Sequence, residues 1–91
     1  MSLEDYRMTI NSIDLSILHL IKSRQQAAVG VGKYKKKNTI SVLDRKRETE
    51  LKERNKKIAK SIGGSEDLAI DISKVLMKHS KRLQKDLMGS T

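Results

Sequence analysis

The first third of the chain carries an apolar pattern that steps by three and four residues without interruption. This spacing aligns side chains along one side of a helix, and its extent predicts a single helix over about residues 3–36. Such a helix is roughly 50 Å long, whereas a compact monomer of this size has a radius of gyration of about 12 Å. A helix too long for its own domain favours a dimer in which two copies pack along each other. This seam consists of Leu3, Tyr6, Ile10, Ile13, Ile17, Leu20, Arg24, Ala27, Val31 and Tyr34.

A second helix is expected after a short break. The long helix should end near Asn38, where a run of lysines stops. Ser41 and Asp44 then form a capping-box pattern with Ser41 as the N-cap, which predicts a helix over about residues 42–61. The glycine pair at 63–64 is a stop signal. Because its apolar residues are few, we expect this helix to cover a core rather than to form one; they are Leu43, Leu51, Ile58 and Ile62.

Ser65 is the predicted N-cap of a third helix over about residues 66–87. The first turn carries Glu66 and Asp67, where carboxylates favour the positive end of the helix dipole. No proline, internal repeat or low-complexity linker divides the chain. The sequence therefore predicts an all-α fold, a single domain over residues 1–91, with one long N-terminal helix and two shorter ones. The expected buried face of the third helix is Leu68, Ile72, Val75, Leu76, Leu83 and Leu87.

The charge of the chain restricts its partners to anions. The formal net charge is +9, and residues 32–48 alone hold seven Lys or Arg against two carboxylates. That balance suits either a polyphosphate backbone or a small dianionic metabolite. Tyr6 and Tyr34 are the only aromatic residues in the sequence, so stacking on bases is nearly absent. The scarcity of aromatic residues disfavours a nucleic-acid partner but leaves that alternative open.

Cofactor and metal motifs are missing from the sequence. His19 and His79 lack ligand spacing and there is no Cys, so neither a metal site nor a disulfide is expected. Gly30 and Gly32 form no phosphate-binding loop; we expect them to permit close packing of the first helix. No apolar run approaches the ~20 residues of a membrane span, and no signal peptide is recognisable. We therefore expect a cytoplasmic protein that uses no cofactor and does not associate with a membrane.

Arg24 occupies a seam position that is normally apolar. It either sets the register of packed helices or reaches solvent, or it points into a pocket and binds a carboxylate in a bidentate manner. Lys35 lies eleven residues later, within about 20° around the helix and roughly 16 Å along it. Together the two side chains can enclose a small anion. Arg7 is rotated some 100° off that face, so it would reach such a pocket only in a partner chain.

The shorter helices carry two further polar groups. Asp44, Arg47 and Glu48 share one helix face at i, i+3 and i+4. They form either a solvated ladder of ion pairs or part of a polar site. Ser80 and Gln84 are i, i+4 neighbours beside the apolar stripe of the third helix, and they leave the same two interpretations open.

These eight polar residues, at these separations, resemble the pattern of the all-helical chorismate mutases, the type II or AroQ class. The segment LEDYRMTINSIDLSILHLIKSR is similar to the family's opening helix, and GKYK, DRKRE and HSKRLQ follow at similar separations. The resemblance runs from about Leu3 to Leu87 and requires no gap. Two features depart from it: the KYKKKN run and the Lys-rich second helix are more basic than such a site requires.

The resemblance implies an intertwined homodimer with two active sites, each lined by both chains. It implies rearrangement of chorismate to prephenate, a step in the biosynthesis of phenylalanine and tyrosine. Arg24 and Arg47, with the partner's Arg7, would bind the two carboxylates of the substrate. Lys35 and Gln84 would donate hydrogen bonds to its ether oxygen.

The remaining polar residues receive roles from the same resemblance. Glu48, with the backbone near Asp44, would hold the ring hydroxyl, and Ser80 would add a polar contact. The chemistry fits the sequence, because a pericyclic reaction needs no nucleophile and no proton transfer. It needs a flexible dianion held in a reactive conformer, with positive charge beside the breaking C–O bond. A neutral Gln84 amide donates at any ordinary pH, which predicts activity without an acid optimum.

Three alternatives remain at the level of sequence. Isochorismate-pyruvate lyases share the fold and a similar cationic pocket, but they eliminate pyruvate. A basic helical nucleic-acid-binding protein would use residues 33–37 and 45–47 on phosphates, with affinity that falls steeply with salt. A structural helical dimer, or a regulator without turnover, would bind no substrate productively. Loss of chorismate absorbance separates catalysis from the last two, and product analysis separates mutase from lyase.

Overall fold

The computed structural model describes residues 1–89 and consists of three helices: α1 (Leu3–Lys37), α2 (Arg45–Ser61) and α3 (Glu66–Gly89). Within that range there is no β-strand, so the predicted all-α fold with one long and two shorter helices is confirmed. The described chain measures 54 × 25 × 14 Å, with a radius of gyration of 16.3 Å. This exceeds the ~12 Å of a compact chain of the same length, because α1 extends past the other two helices.

The helix α1 has defined signals at both ends. At its start, the side chain of Ser2 accepts a hydrogen bond from the backbone N–H of Asp5, and the Asp5 carboxylate accepts from the Ser2 backbone in return. That backbone hydrogen bond, with a second from the Ser2 hydroxyl, lowers the pKa of Asp5. At its end, Asn38 is the C-cap and Thr39 adopts a positive φ of 54°. The predicted break near Asn38 is confirmed.

The helix α2 begins three residues later than the sequence pattern suggested. Its N-cap is Asp44, which accepts a hydrogen bond of 2.9 Å from the backbone N–H of Arg47. Ser41 was expected to be the N-cap, and that prediction is wrong. Its hydroxyl accepts from the N–H of Leu43, only two residues along, and so forms a local turn instead. The helix ends at Ser61, followed by Gly63 with φ of 73°, as the glycine pair predicted.

The helix α3 packs against both of the others and separates them. Ser65 accepts a hydrogen bond of 3.1 Å from the N–H of Leu68, as expected of an N-cap. On its α2 side, the Asn55 amide donates to the hydroxyl of Ser73, which is 1% exposed. Ser73 in turn donates to the carbonyl of Ala69. This buried polar link joins α2 to α3, and no sequence pattern had indicated it.

Half of the apolar face expected to be buried on α3 is exposed in the single chain. Leu76, Leu83 and Leu87 are half-buried, as predicted. Leu68, Ile72 and Val75 are 57, 49 and 55% exposed. The prediction of a continuous buried face is therefore wrong for the first half of α3 within one chain.

The first half of α1 stands clear of the remaining chain. Every residue from 3 to 20, a segment we call the arm, is exposed. The seam residues of the arm are among them, with Ile10, Ile13 and Ile17 at 55, 54 and 47% exposure. The remainder of α1, from Ile21 onward, contains the buried or half-buried positions. In residues 1–89, none of the helices combines the length and the apolar character required to cross a bilayer.

Candidate active site

A cavity of about 310 Å³ lies where the second half of α1, the start of α2 and the second half of α3 converge. Apolar walls come from all three helices and the α1–α2 loop, including Val31, Val42, Leu51 and Met77. Seven of the eight polar residues selected from the sequence line this cavity. They are Arg24, Lys35, Asp44, Arg47, Glu48, Ser80 and Gln84.

Arg24 reaches from α1 toward α3. Its Nη1 donates to the hydroxyl of Ser80 and to the carbonyl of Leu76, the latter at 3.3 Å. The side chain is half-buried, so it does not extend into solvent as one sequence interpretation allowed. These two hydrogen bonds hold the guanidinium at the α1–α3 junction, with further N–H groups left to bind an anion in the cavity.

Lys35 lies on the same cavity wall as Arg24, as their angular separation on α1 predicts. Its Nζ donates to the carbonyl of Val42 at 3.3 Å, across the loop that connects α1 to α2. The residue is half-buried. An ammonium group has three donors, so one bond to Val42 leaves others for a ligand.

The N-cap and first turn of α2 supply Asp44, Arg47 and Glu48 to the cavity. Asp44 is engaged as the helix N-cap. In the part of the chain that the structure describes, the ion-pair partner of Glu48 is Lys81 on α3, at 2.8 Å between Nζ and Oε1. The face of α2 that carries Asp44, Arg47 and Glu48 therefore does not form a ladder of ion pairs along the helix.

Gln84 is the most buried polar residue of the cavity, at 7% exposure. Its Oε1 is enclosed and has no hydrogen-bond partner among residues 1–89. An enclosed amide oxygen without a partner is costly in free energy, so the side chain of Gln84 is available to a ligand.

Gly32 on α1 allows Gln84 to lie this close. A Cβ at position 32 would meet Leu87 Cδ1 at 2.8 Å and Gln84 Cγ at 3.1 Å. The prediction of close packing is thus confirmed at Gly32. It does not hold at Gly30 within one chain, where a Cβ would have no atom of another described helix within 4 Å.

Arg7 is the one selected residue that does not line the cavity. It lies on the arm, fully in the exposed segment. It precedes Arg24 by 17 residues, which is roughly 26 Å along a straight helix. As expected from its position on α1, Arg7 does not reach the cavity of its own chain.

Sequence reasoning missed Lys81. It contributes a fourth cation to the cavity and pairs with Glu48. A signal was present, because Lys81 precedes Gln84 by three residues and so shares its helix face. Because α3 carries several lysines, that spacing did not single out Lys81. Lys81 differs from the other lysines in its contact with Glu48 on α2.

The charges around the cavity favour a small dianion. Four cations (Arg24, Lys35, Arg47 and Lys81) face two carboxylates (Asp44 and Glu48), a formal balance of +2. Cations of this kind beside apolar walls hold anionic groups while excluding water from the atoms between them. Among residues 1–89 there is no group of three or more His, Cys, Asp or Glu side chains arranged to hold a metal ion.

Comparison with known proteins gives two matches. The sequence model of the family described as chorismate mutase type II matches residues 6–85, a range that contains all eight selected residues. The sequence is also similar to a chorismate mutase of Methanocaldococcus jannaschii, with 34% identity over 89 residues. That alignment covers 98% of this chain and 90% of the relative. No solved structure matches.

Proposed function

We propose a substrate-binding arrangement and a dimeric active site for this chain, which belongs to the chorismate mutase type II family. The chain is accordingly a chorismate mutase, an isomerase that rearranges chorismate to prephenate in aromatic amino acid biosynthesis. The arrangement rests on one observation above all. Seven polar residues chosen from sequence spacing, and located on three different helices, line a single cavity.

Two arginines of one chain bind the carboxylates of chorismate in this proposal. Arg24, fixed by Ser80 and the Leu76 carbonyl, presents its remaining N–H groups to one carboxylate. Arg47, at the start of α2, binds the same dianion from the opposite wall. Planar guanidinium groups match carboxylates in a bidentate manner, which limits the conformers that the flexible side chain of the substrate can adopt.

Lys35 and Gln84 act at the ether oxygen. In the rearrangement the C–O bond breaks as a new C–C bond forms, and negative charge builds up on that oxygen. Donors fixed beside the oxygen stabilise the transition state more than the ground state, which raises kcat. The enclosed, unpartnered Oε1 of Gln84 supports this role, because no described contact of that oxygen opposes a rotation of the amide that would bring its NH₂ to a ligand acceptor.

Glu48 and the backbone near Asp44 hold the ring hydroxyl. The Glu48 carboxylate is an acceptor on the cavity wall, and Asp44 is held by its capping hydrogen bond. Ser80 acts on the substrate mainly through Arg24, whose guanidinium it accepts from. The Ser80 hydroxyl can still donate one hydrogen bond, which allows a further polar contact with the ligand.

A second copy of the chain completes the site. The arm exposes an apolar seam that no other part of residues 1–89 covers, and α3 exposes Leu68, Ile72 and Val75. Burial of such surface drives association, and the seam has the a/d spacing of paired helices. We infer that two α1 helices pack together as an intertwined homodimer and that the partner's Arg7 enters the cavity.

The direction of this pairing follows from the position of Arg7. If the two α1 helices ran parallel and in register, each Arg7 would lie beside its equivalent, roughly 26 Å from the cavity arginine. An antiparallel pair with its twofold axis near Ile17 sets Arg7 opposite the partner's Ala27, which lines the cavity. We therefore propose the antiparallel arrangement. The biosynthetic role also supports a cytoplasmic location.

Purified protein mixed with chorismate tests the reaction. We expect chorismate absorbance to fall and prephenate to form, with no acid optimum, since Gln84 carries no proton that titrates. Release of salicylate and pyruvate from isochorismate instead would indicate a lyase. Absence of any turnover from pH 5 to pH 9 would contradict the assignment of enzyme activity.

Complementation tests the shared site. Arg7→Ala and Lys35→Ala should each be nearly inactive. In a mixed dimer, however, the cavity of the Arg7→Ala copy receives an intact Arg7 from the Lys35→Ala copy. After co-refolding of equal amounts, half of the dimers are mixed and each has one intact site, so about a quarter of wild-type activity should return. No recovery in a mixture with proven subunit exchange would exclude a shared site.

A further inference from the structure

Lys81 stands out among the lysines of α3 because it faces the cavity. Its Nζ lies 2.8 Å from Glu48 Oε1, and the two side chains are 34 and 25% exposed. This is the ion pair that links α2 to α3 within residues 1–89. The carboxylate oxygen involved is itself enclosed, whereas exposed Lys78 and Lys85 on the same helix do not line the cavity.

We propose that Lys81 is a positioning residue for the substrate, an inference that rests on the proposed function. It fixes the Glu48 carboxylate so that the second oxygen, Oε2, accepts a hydrogen bond from the ring hydroxyl of chorismate. Lys81 itself touches Glu48 rather than the reacting atoms. Its effect therefore concerns recognition of the hydroxylated ring.

The geometry explains why Glu48 needs such a partner. A glutamate has three rotatable side-chain bonds, and its free carboxylate would sample several orientations at the mouth of the cavity. The contact with Lys81 is an ion pair without hydrogen-bond geometry, and it holds Oε1 on the α3 side of the cavity. This restricts the orientations that Oε2 can adopt. An acceptor that is already oriented loses less conformational entropy when the substrate binds.

The kinetic consequence is a change in binding rather than in the chemical step. The ring hydroxyl takes no part in bond breaking, so its hydrogen bond to Glu48 contributes about equally to the ground state and the transition state. Loss of such uniform binding raises KM and leaves kcat nearly unchanged. This separates Lys81 from Lys35, whose loss should lower kcat.

The test compares Lys81→Met, Lys81→Arg and the matched control Lys85→Met in the full-length protein. Lys81→Met keeps the length of the side chain and removes the charge. We expect KM to rise about fivefold with kcat within about twofold of wild type, whereas Lys81→Arg should restore most of the affinity. Lys85→Met should leave both constants unchanged. Helical circular dichroism and solution mass should be the same for all three variants.

A double-mutant cycle tests whether Lys81 acts through Glu48. In a Glu48→Gln background, Lys81→Met should add little further loss, because the oriented carboxylate is already gone. Additive losses would overturn the proposal.

Two other outcomes would also overturn it. A rise in KM shared by Lys85→Met, and abolished for both variants in high salt, would assign the effect to long-range attraction of the dianion. An unchanged KM in Lys81→Met, with active wild type, would refute the positioning role alone. An inactive wild-type protein would instead refute the proposed function, and this inference with it.

Discussion

The two halves of α1 carry the same apolar repeat but have different surroundings. In the arm, residues 3–20, every position is exposed, and no other part of the described chain covers the seam. From residue 21 to residue 37, the same helix packs on α3 and contributes Arg24 and Lys35 to the cavity. A heptad pattern thus specifies a helix with an apolar side, but it does not specify which chain covers that side.

The polar exceptions follow the same division. The second half of α1 has a charged residue, Arg24, at a seam position. Arg24 donates a hydrogen bond to Ser80 of α3 within the same chain. The arm keeps its seam apolar and carries its one cation of interest, Arg7, off the seam. In the proposed dimer the Arg24 of one chain and the Arg7 of the other reach one cavity, because the two α1 helices run antiparallel.

The largest effect on activity is expected from a substitution in the second half of α1 that leaves the arm unchanged. Lys35→Ala should lower kcat by about 10³-fold, because it removes a cationic donor at the ether oxygen. Helix content and dimer mass should not change, since the arm is untouched. Lys33→Ala is the control, as Lys33 is exposed and outside the cavity. Steady-state kinetics check this prediction, and normal turnover in Lys35→Ala would contradict the role of this residue.

A charge in the seam of the arm should have the next largest effect. In the antiparallel pair Ile17 meets its equivalent, so Ile17→Glu sets two carboxylates against each other in an apolar seam. We expect a monomer, with activity reduced about 100-fold or more because the partner's Arg7 is lost. Sedimentation or light scattering gives the mass.

The control for the arm is His19→Glu, which adds the same charge on the opposite side of the helix. It should remain a dimer with activity close to wild type. A fully active dimer from Ile17→Glu would refute both the seam interface and its antiparallel geometry.

Gly32→Ala should have an intermediate effect, confined to the second half of α1. The added methyl group would lie 2.8 Å from Leu87 Cδ1 and 3.1 Å from Gln84 Cγ, so α3 or Gln84 must shift. We expect a loss of about 1–3 kcal/mol in the free energy of unfolding and a roughly tenfold lower kcat. Thermal unfolding and kinetics measure the two effects.

Gly30→Ala is the matched comparison two residues away. A methyl group there has free space among the described residues, so it should raise stability by up to about 1 kcal/mol through the better helix propensity of alanine. Equal behaviour of the two variants would show that the close approach at Gly32 does not position Gln84.

The smallest effect is expected at the start of the arm. Asp5 accepts hydrogen bonds from Ser2, and its pKa lies below the ordinary value of 3.8. A lowered folded-state pKa means that the capping contribution is complete above the ordinary value and disappears as pH falls through the lowered one. Asp5→Ala should therefore fray only the first turn and change kcat/KM less than about twofold. Amide exchange in that turn, measured at neutral pH and below pH 4, checks both statements.

Most of the fold could be read from the sequence because its signals are local. The seam predicted α1 to within one residue at its end, and Ser65 marked the start of α3. The start of α2 could not be read in this way, because Ser41 and Asp44 are both competent N-caps. The choice between them depends on the turn after Thr39.

The polar residues were predicted from their spacing. Spacing is informative when the members of a site lie on one face of the same helix. Arg24 and Lys35 share a face of α1, and Asp44, Arg47 and Glu48 share a face of α2. Lys81 has this kind of spacing from Gln84, but other lysines on α3 obscured it, and Ser73 had no such signal. The role of each depends on a residue of another helix: Glu48 for Lys81 and Asn55 for Ser73. The exposure of Leu68, Ile72 and Val75 was missed for a related reason, since helical periodicity does not reveal which neighbour is present.

The long, uninterrupted α1 has a mechanical consequence. Residues 3–29 contain neither glycine nor proline, the residues at which helices most often kink. Arg7 lies fourteen residues beyond Ile21, where packing on α3 begins, so a tilt of ten degrees there displaces it by roughly 4 Å. In the proposed dimer the arm would act as a stiff lever, and its bending rigidity would set how accurately Arg7 reaches the site of the other chain. A one-residue insertion in the arm would turn Arg7 about 100° away from that site, although every local contact of the cavity stayed intact.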